Sequence, residues 1–359
     1  MRVSVPRRFS KRSRSSVSAR WSAASEISTD RLRGIAIIHD SRRTQECIAT
    51  LSGTLWYASD VPSPEAVSRS ADLFTFPEPL ASNLEGFAAP FSSWFLYTPA
   101  RALLDAGEGI ASRLGNRVFV PEVVFLTHAH YDHIAGLTGF LLARTSARGD
   151  DEKPLTIYYP EIAERNFANL RGYVDTVVRR KTFPLTWKAV AIGERIPVRH
   201  WFVEPFATKH SVPSAGYRFL EMRRRLRPAF QGKLPQEIIQ LKKEQGDDTL
   251  HEEYAHVVLA MTGDTGPSID GSLFTNADVL VHEATFLKPE DREGDDHATA
   301  EDAFILARNA HVKTLVLYHI SQRYWRRDMQ RVIPALQKKT GYQGRVVVVA
   351  GFTHPDGFY

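Results

Sequence analysis

Cysteine is almost absent: Cys47 stands alone in 359 residues, which excludes an intrachain disulfide framework and fits a reducing compartment. Long apolar runs are missing too. None approaches the roughly 20 residues that cross a bilayer, so a soluble protein with no membrane partner is expected. Acidic residues are missing from positions 1–25, where Arg2, Arg7, Arg8, Lys11, Arg12, Arg14 and Arg20 stand among eight serines before Glu26. The formal charge of +5 is therefore local: the first 25 residues carry +7 and the remainder −2. This excludes a basic coat over the whole body. With 43% hydrophobic residues, what remains has the composition of a globular chain with a sizeable core.

The Arg- and Ser-rich start has the composition of a mitochondrial or chloroplast transit peptide on an intracellular protein. A disordered RNA-binding arm, a nuclear-import run at Arg7–Arg14 and a misassigned start codon fit the same residues. Without an organelle address, the cytoplasm is expected. Residues 26–82, punctuated by Pro62, Pro64, Pro77 and Pro79, read as leader or linker. The patterned domain is expected over 83–359.

Within it, a hairpin is predicted across Pro99 from Phe91–Thr98 and Ala102–Asp105. Short strands are predicted at Val123–Leu126, Leu155–Tyr159, Trp187–Ile192, Val198–Thr208, Val257–Met261, Val279–His282, Thr314–Tyr318 and Arg345–Ala350. Helices are predicted at His133–Arg144, Glu161–Arg179, Thr299–Asn309 and Arg323–Lys338. Strands dominate first and alternate with helices later, which suits two packed sheets with helices outside, an α/β fold in αββα layers.

The densest chemistry is Thr127-His128-Ala129-His130-Tyr131-Asp132-His133, directly after a short apolar strand. Four ligand-type side chains in six positions can converge on one point only if the loop folds around something. Imidazole and carboxylate without thiol favour Zn²⁺, and Mn²⁺ or Fe also suit.

This His-x-His-x-Asp-His run resembles that of the metallo-β-lactamase fold, a four-layer αββα sandwich. His210, Asp264 and His319 follow in order, each just past a predicted strand. The sequences His282-Glu283-Ala284-Thr285-Phe286 and His297-Ala298-Thr299-Ala300-Glu301 resemble paired signatures of the RNase Z branch, the tRNA 3′-end endonucleases. His319-Ile320-Ser321-Gln322-Arg323-Tyr324, Ser214-Ala215-Gly216-Tyr217-Arg218 and the Asp105-Ala106-Gly107 turn are similar to further parts of that pattern. The likeness spans about residues 83–352.

The resemblance implies two zinc ions, one on His128, His130, His210 and Asp264, the other on Asp132, His133, Asp264 and His319. It also implies metal-activated hydroxide attack on a phosphodiester, with release of the 3′ trailer of precursor tRNA. Asp132 would hold the attacking water as well as a metal. His297 would protonate the leaving 3′ oxygen and Glu283 would orient it, with amides of the following helix start adding donors for the phosphate. Asp105 is expected to support the ligand loop, while His282 alternates to the opposite strand face. A homodimer is usual for the family.

One departure concerns the tRNA-gripping arm, which in many relatives is long and rich in Gly and Pro. Here only about 219–256 is available, resembling a shorter basic type. Arg218, Arg223, Arg224, Arg225, Arg227, Lys233, Lys242 and Lys243 face only Glu221 and Glu237 between positions 218 and 243. Such clustering in a body of net −2 favours phosphate contact, and Arg323 could add to it. A hydrolase of the same fold acting on cyclic nucleotides, small phosphodiesters or esters is the alternative. A metal-free RNA-binding subunit is a third reading, which the full ligand set argues against.

Overall fold

A computed structural model describes residues 84–146 and 153–351, and the backbone of four short strands between 27 and 57. The chain divides into two units, Met1–Arg69 and Ser70–Tyr359. In the first, β1 (Ile27–Asp30), β2 (Ile35–Asp40), β3 (Gln45–Ala49) and β4 (Leu55–Tyr57) pair antiparallel in chain order. They fall inside the stretch read from sequence as leader or linker. The 1–25 leader and the 62–79 proline segment lie outside the described residues.

The second unit contains two sheets. In one, β5 (Leu84–Ala89), β6 (Ser92–Tyr97), β7 (Ala102–Leu104), β8 (Val123–Phe125), β9 (Leu155–Pro160) and β10 (Leu185–Val190) lie side by side in chain order. Its pairings are antiparallel through β7 and parallel from β7 onward. The other runs β11 (Ile196–Val198), β12 (Trp201–Ala207), β13 (Ala215–Leu226), β14 (His251–Met261), β15 (Val279–Glu283), β16 (Thr314–Tyr318) and β17 (Arg345–Val348). There the pairings are antiparallel to β14 and parallel beyond it.

Alternation along the strands builds the layers. Phe95, Leu104 and Phe125 of the first sheet meet Tyr217, Phe219, Val281, Val316 and Tyr318 of the second in one buried cluster. The intervening residues face outward. Leu96, Leu103 and Val124 pack under α1 (Ile110–Leu114), α3 (Leu137–Ser146) and α4 (Glu164–Val177). Leu280, Leu315 and Leu317 pack under α7 (Ala300–Asn309) and α8 (Arg326–Thr340). Strands buried on both faces need continuous apolar runs, as Val279–Val281 and Leu315–Tyr318 provide. The result is the αββα sandwich of the metallo-β-lactamase fold.

Several elements differ from the sequence reading. The expected helix at His133–Arg144 is two, α2 (Tyr131–Ile134) and α3, with Gly136 between them. A Cβ on Gly136 would sit 1.9 Å from the carbonyl oxygen of Gly107, so a side chain is excluded where the two loops touch. The expected strand Val198–Thr208 is the β11–β12 hairpin, turning at Arg199 with φ 57°. Strand β5 precedes the first strand expected in this domain. Among the described residues, no helix is long and apolar enough to cross a membrane.

Candidate metal centre

Strand ends gather the chemistry. His128 to His133 follow β8, His210 follows β12, Asp264 follows β14, Glu283 ends β15 and His319 follows β16. The seven expected donors form two groups that share Asp264: His128, His130, His210 and Asp264, and Asp132, His133, Asp264 and His319. Within each group, the ligand atoms lie within 4.8 Å of one another.

The outward ring nitrogens of four of the five donor histidines are tied down. His128 Nδ1 meets Thr127 Oγ1 at 3.0 Å, His133 Nδ1 meets Asp105 Oδ2 at 2.7 Å, and His210 Nδ1 meets the Asp296 carbonyl at 3.0 Å. His319 Nδ1 meets Thr285 Oγ1 at 2.9 Å. A carboxylate or carbonyl partner makes Nδ1 the protonated nitrogen, so Nε2 presents a lone pair inward. Buried Nε2 of His128 has no hydrogen-bond partner, and Nε2 of His133 and Oδ1 of Asp264 meet only other donors of the cluster, at ion-pair distances without hydrogen-bond geometry. Orphaned buried donors and acceptors are rare and costly, so this pocket of inward-facing N and O atoms fits divalent cations. Its nitrogen and carboxylate donors, with no thiol, are the set such cations take.

Charge placement follows the crowding. Burial would raise the Asp264 carboxyl, but His319 and His133 outweigh it and hold it well below the usual range. Asp132, 3.1 Å from His133 Nε2 and 3.0 Å from His319 Nε2, is likewise lowered against its burial. His319 is raised to about 9, because Asp264 and Asp132 overcome its desolvation. Asp105, fully buried, is raised by burial despite its bonds to His133 and Thr127. It accepts from the Thr127 amide at 2.7 Å and so braces the ligand loop.

Beside the donors lies a second construction. Glu283 is fully buried and accepts from the amides of Thr265, Thr285 and Ala298 at 3.1, 2.9 and 3.0 Å, and from Thr285 Oγ1 at 2.8 Å. Its Oε1 lies 3.0 Å from His297 Nδ1. Desolvation pulls the His297 pKa down, but the bond and attraction to Glu283 win and raise it. The His297 ring stacks on His319 at 5.4 Å, within the donor cluster.

Sequence reasoning named neither hydroxyl that links these parts. Thr127 joins Asp105 to His128, and Thr285 joins Glu283, His297 and His319. Both stand next to or near an expected functional residue in the chain, which was the only signal of their role. The α7 start has fewer amides to offer a phosphate than expected. Ala298 N is bound to Glu283, Ala300 N to the Phe286 carbonyl, and Thr299 and Asp302 close a reciprocal cap. His282 is buried on the other strand face, its Nδ1 2.6 Å from the Glu283 carbonyl.

The expected arm is a hairpin extension of β13 and β14, carrying α5 (Pro235–Gln245) and α6 (Asp247–Leu250) between the strands. Its cations are less free than the local sequence suggests. Arg218 is not part of it: this residue sits in the core sheet, bonded to Glu204 and to the Leu273 carbonyl. Arg223 pairs with Glu221 and Asp278, Arg224 with Asp247 and Asp248, and Arg225 with Glu252. Lys242 also reaches Asp247, and Arg227 bonds the His251 carbonyl. Lys233 and Lys243 have no ion pair among the described residues. Arg323 is held by Glu293 and the Asp291 carbonyl over the Phe286 ring.

Two sheets with His and Asp donors at one edge define a candidate metal site on the metallo-β-lactamase fold. Residues 96–218 match the family model described as the metallo-β-lactamase superfamily. A solved metallo-β-lactamase-fold protein of Bacillus subtilis, 18% identical, superposes with a TM-score of 0.53 over 77% of this chain and 96% of its own. A ribonuclease Z of Thermococcus onnurineus is 31% identical over 249 residues, 62% of this chain and 76% of that protein. A ribonuclease BN of Cronobacter sakazakii is 31% identical over 265 residues, 66% of this chain and 83% of that relative. The chain belongs to the ribonuclease Z family, and is thus a metal-binding nuclease.

Proposed function

We propose that this chain is a zinc-dependent endoribonuclease that removes the 3′ trailer of precursor tRNA, acting as a homodimer. The observation that carries the reading is the bond from buried Glu283 to the partly exposed His297, set against a two-group donor cluster with inward-facing atoms. His128, His130, His210 and Asp264 would hold one cation, and Asp132, His133, Asp264 and His319 the other. Bound there, the pair would supply Lewis acidity toward a phosphoryl oxygen and acidify a water. Two dications against two carboxylates also leave the centre positive, which suits an anionic phosphodiester.

The chain's own groups divide the remaining work. Asp132, the more open of the two ligand carboxylates, can accept a hydrogen bond from the attacking water and orient it. Glu283 fixes His297 through Nδ1, leaving Nε2 to hand a proton to the departing 3′ oxygen. The carboxylate favours the charged form of that imidazole. Lys233 and Lys243, without acidic partners among the described residues, are the arm cations best placed by charge to meet phosphates.

The test is incubation of purified protein with 3′-extended precursor tRNA, with and without chelator, followed by mapping of product ends. Chelator-sensitive cleavage at the trailer junction, leaving a 3′ hydroxyl, is the expected result. Cleavage of small phosphodiesters alone would favour the alternative hydrolase.

A further inference from the structure

Next to the donor cluster opens a cavity of about 550 Å³ that shares Asp132 and His319 with it. Two aromatic rings stand among its lining residues. Phe91 and Tyr131 are 61% and 60% exposed, yet their ring centroids lie 6.0 Å apart at an interplanar angle of 82°. Tyr131 stands between the ligands His130 and Asp132. Phe91 comes from the two-residue turn joining β5 to β6.

Phe91 is in an expensive place. Its φ is 64°, and it follows Pro90 in a turn where the second position favours glycine. A bulky side chain in the left-handed region is strained, and here most of the ring stays in water, so little burial offsets the cost. Tyr131 repeats the pattern, with more than half of its surface open to solvent. Exposed aromatic faces beside a charged centre are how proteins hold unpaired bases, because every base has a face that stacks. Ser321 and Gln322 on the cavity wall add polar groups within the same space.

We propose that Phe91 and Tyr131 seat one unpaired nucleobase flanking the scissile phosphate, one ring stacking on its face and the other meeting its edge. This rests on the ribonuclease reading above and names how the substrate is seated. A stacked base would fix the register of the single strand across Asp132 and His319 without selecting a sequence.

The test combines a protein change with a substrate change. Wild-type protein and Phe91→Gly are assayed on 3′-extended precursor tRNA, intact or carrying an abasic residue on either side of the cut. Phe91→Gly should lose roughly tenfold in kcat/KM on the intact RNA, within the range of a single stacked base. An abasic residue at one flank should cost the wild type a similar factor. The two changes together should cost no more than either alone. Tyr131→Leu should behave likewise, with cation content unchanged by mass spectrometry. The melting temperature of Phe91→Gly should equal or exceed that of the wild type, since strain is relieved. Full activity of Phe91→Gly, or losses that multiply when combined, would overturn the proposal. If wild-type protein fails to cut the RNA at all, the ribonuclease reading itself fails.

Discussion

Asp105 Oδ2 lies 2.7 Å from Nδ1 of His133, and the same ring turns Nε2 toward Asp132 at 3.1 Å and Asp264 at 3.4 Å. One carboxylate therefore sets the tautomer of a buried donor and, through the Thr127 amide, the position of the loop bearing three more. Asp105→Asn should weaken cation binding by about 10- to 100-fold, read by titration against a chelating indicator. Unchanged affinity would show that the interaction is only structural.

His297→Ala should lower turnover by about 10²- to 10⁴-fold with cation content retained. Glu283→Gln should act in the same direction, because a glutamine amide would point a donor at atoms that already donate. His210→Ala should lose cation as well as turnover. Metal analysis beside single-turnover kinetics separates these cases, and normal cleavage by His297→Ala would remove its proposed role.

Gly136→Ala should destabilise the protein by about 1–3 kcal/mol, the usual cost of forcing atoms into packed space. The new methyl would press on Gly107 O, next to the turn whose Ala106 carbonyl accepts from Gly136 N at 2.8 Å. Denaturant unfolding measures this. A variant as stable as the parent would mean that the loops part freely.

Replacing Lys233 and Lys243 by alanine should weaken RNA binding and flatten its salt dependence, by about one unit of slope for every phosphate no longer engaged. Arg225→Ala should do less, because Glu252 already engages that guanidinium. Binding titrations at several salt concentrations decide between them.

Asp278 joins the base of the arm to the sheet, 2.9 Å from His256 Nε2 and 2.7 Å from Lys313 Nζ. Burial would raise its pKa, but Lys313 and His256 bring it below the ordinary 3.8. A depressed carboxyl stabilises the fold above its unfolded pKa and ceases to do so as the pH falls through the folded value. Asp278→Asn should therefore melt earlier at neutral pH, and the gap from wild type should close as the pH drops below 3.8. A gap independent of pH would contradict this.

What could be read from sequence was whatever is local. Four donors within six positions after an apolar strand announce themselves, and Glu283 and His297 sit in short recognisable runs. Continuous apolar strands such as Leu315–Tyr318 likewise revealed a sheet covered on both faces. What depends on partners distant in the chain was hidden. The acids that engage the arm arginines, Asp247, Asp248 and Glu252, arrive only when the return strand pairs in register. The amides at the start of α7 looked free until Glu283, the Phe286 carbonyl and the Thr299–Asp302 cap took most of them. Thr127 and Thr285 stood beside expected site residues but gave no sign of what they join, since a hydroxyl becomes a linker only when ring nitrogens are folded against it.

The two donor groups draw on both sheets: His128, His130, Asp132 and His133 come from the first half of the domain, and His210, Asp264 and His319 from the second. Any cation seated among them would act as a cross-link between halves that otherwise meet mainly through the apolar layer between the sheets. Such a bridge closes a chain loop from residue 128 to residue 319, and a ligand that binds only the folded state adds its binding free energy to stability. Loading and folding should thus be one coupled equilibrium, so the resistance of this domain to heat will report how much of it carries metal.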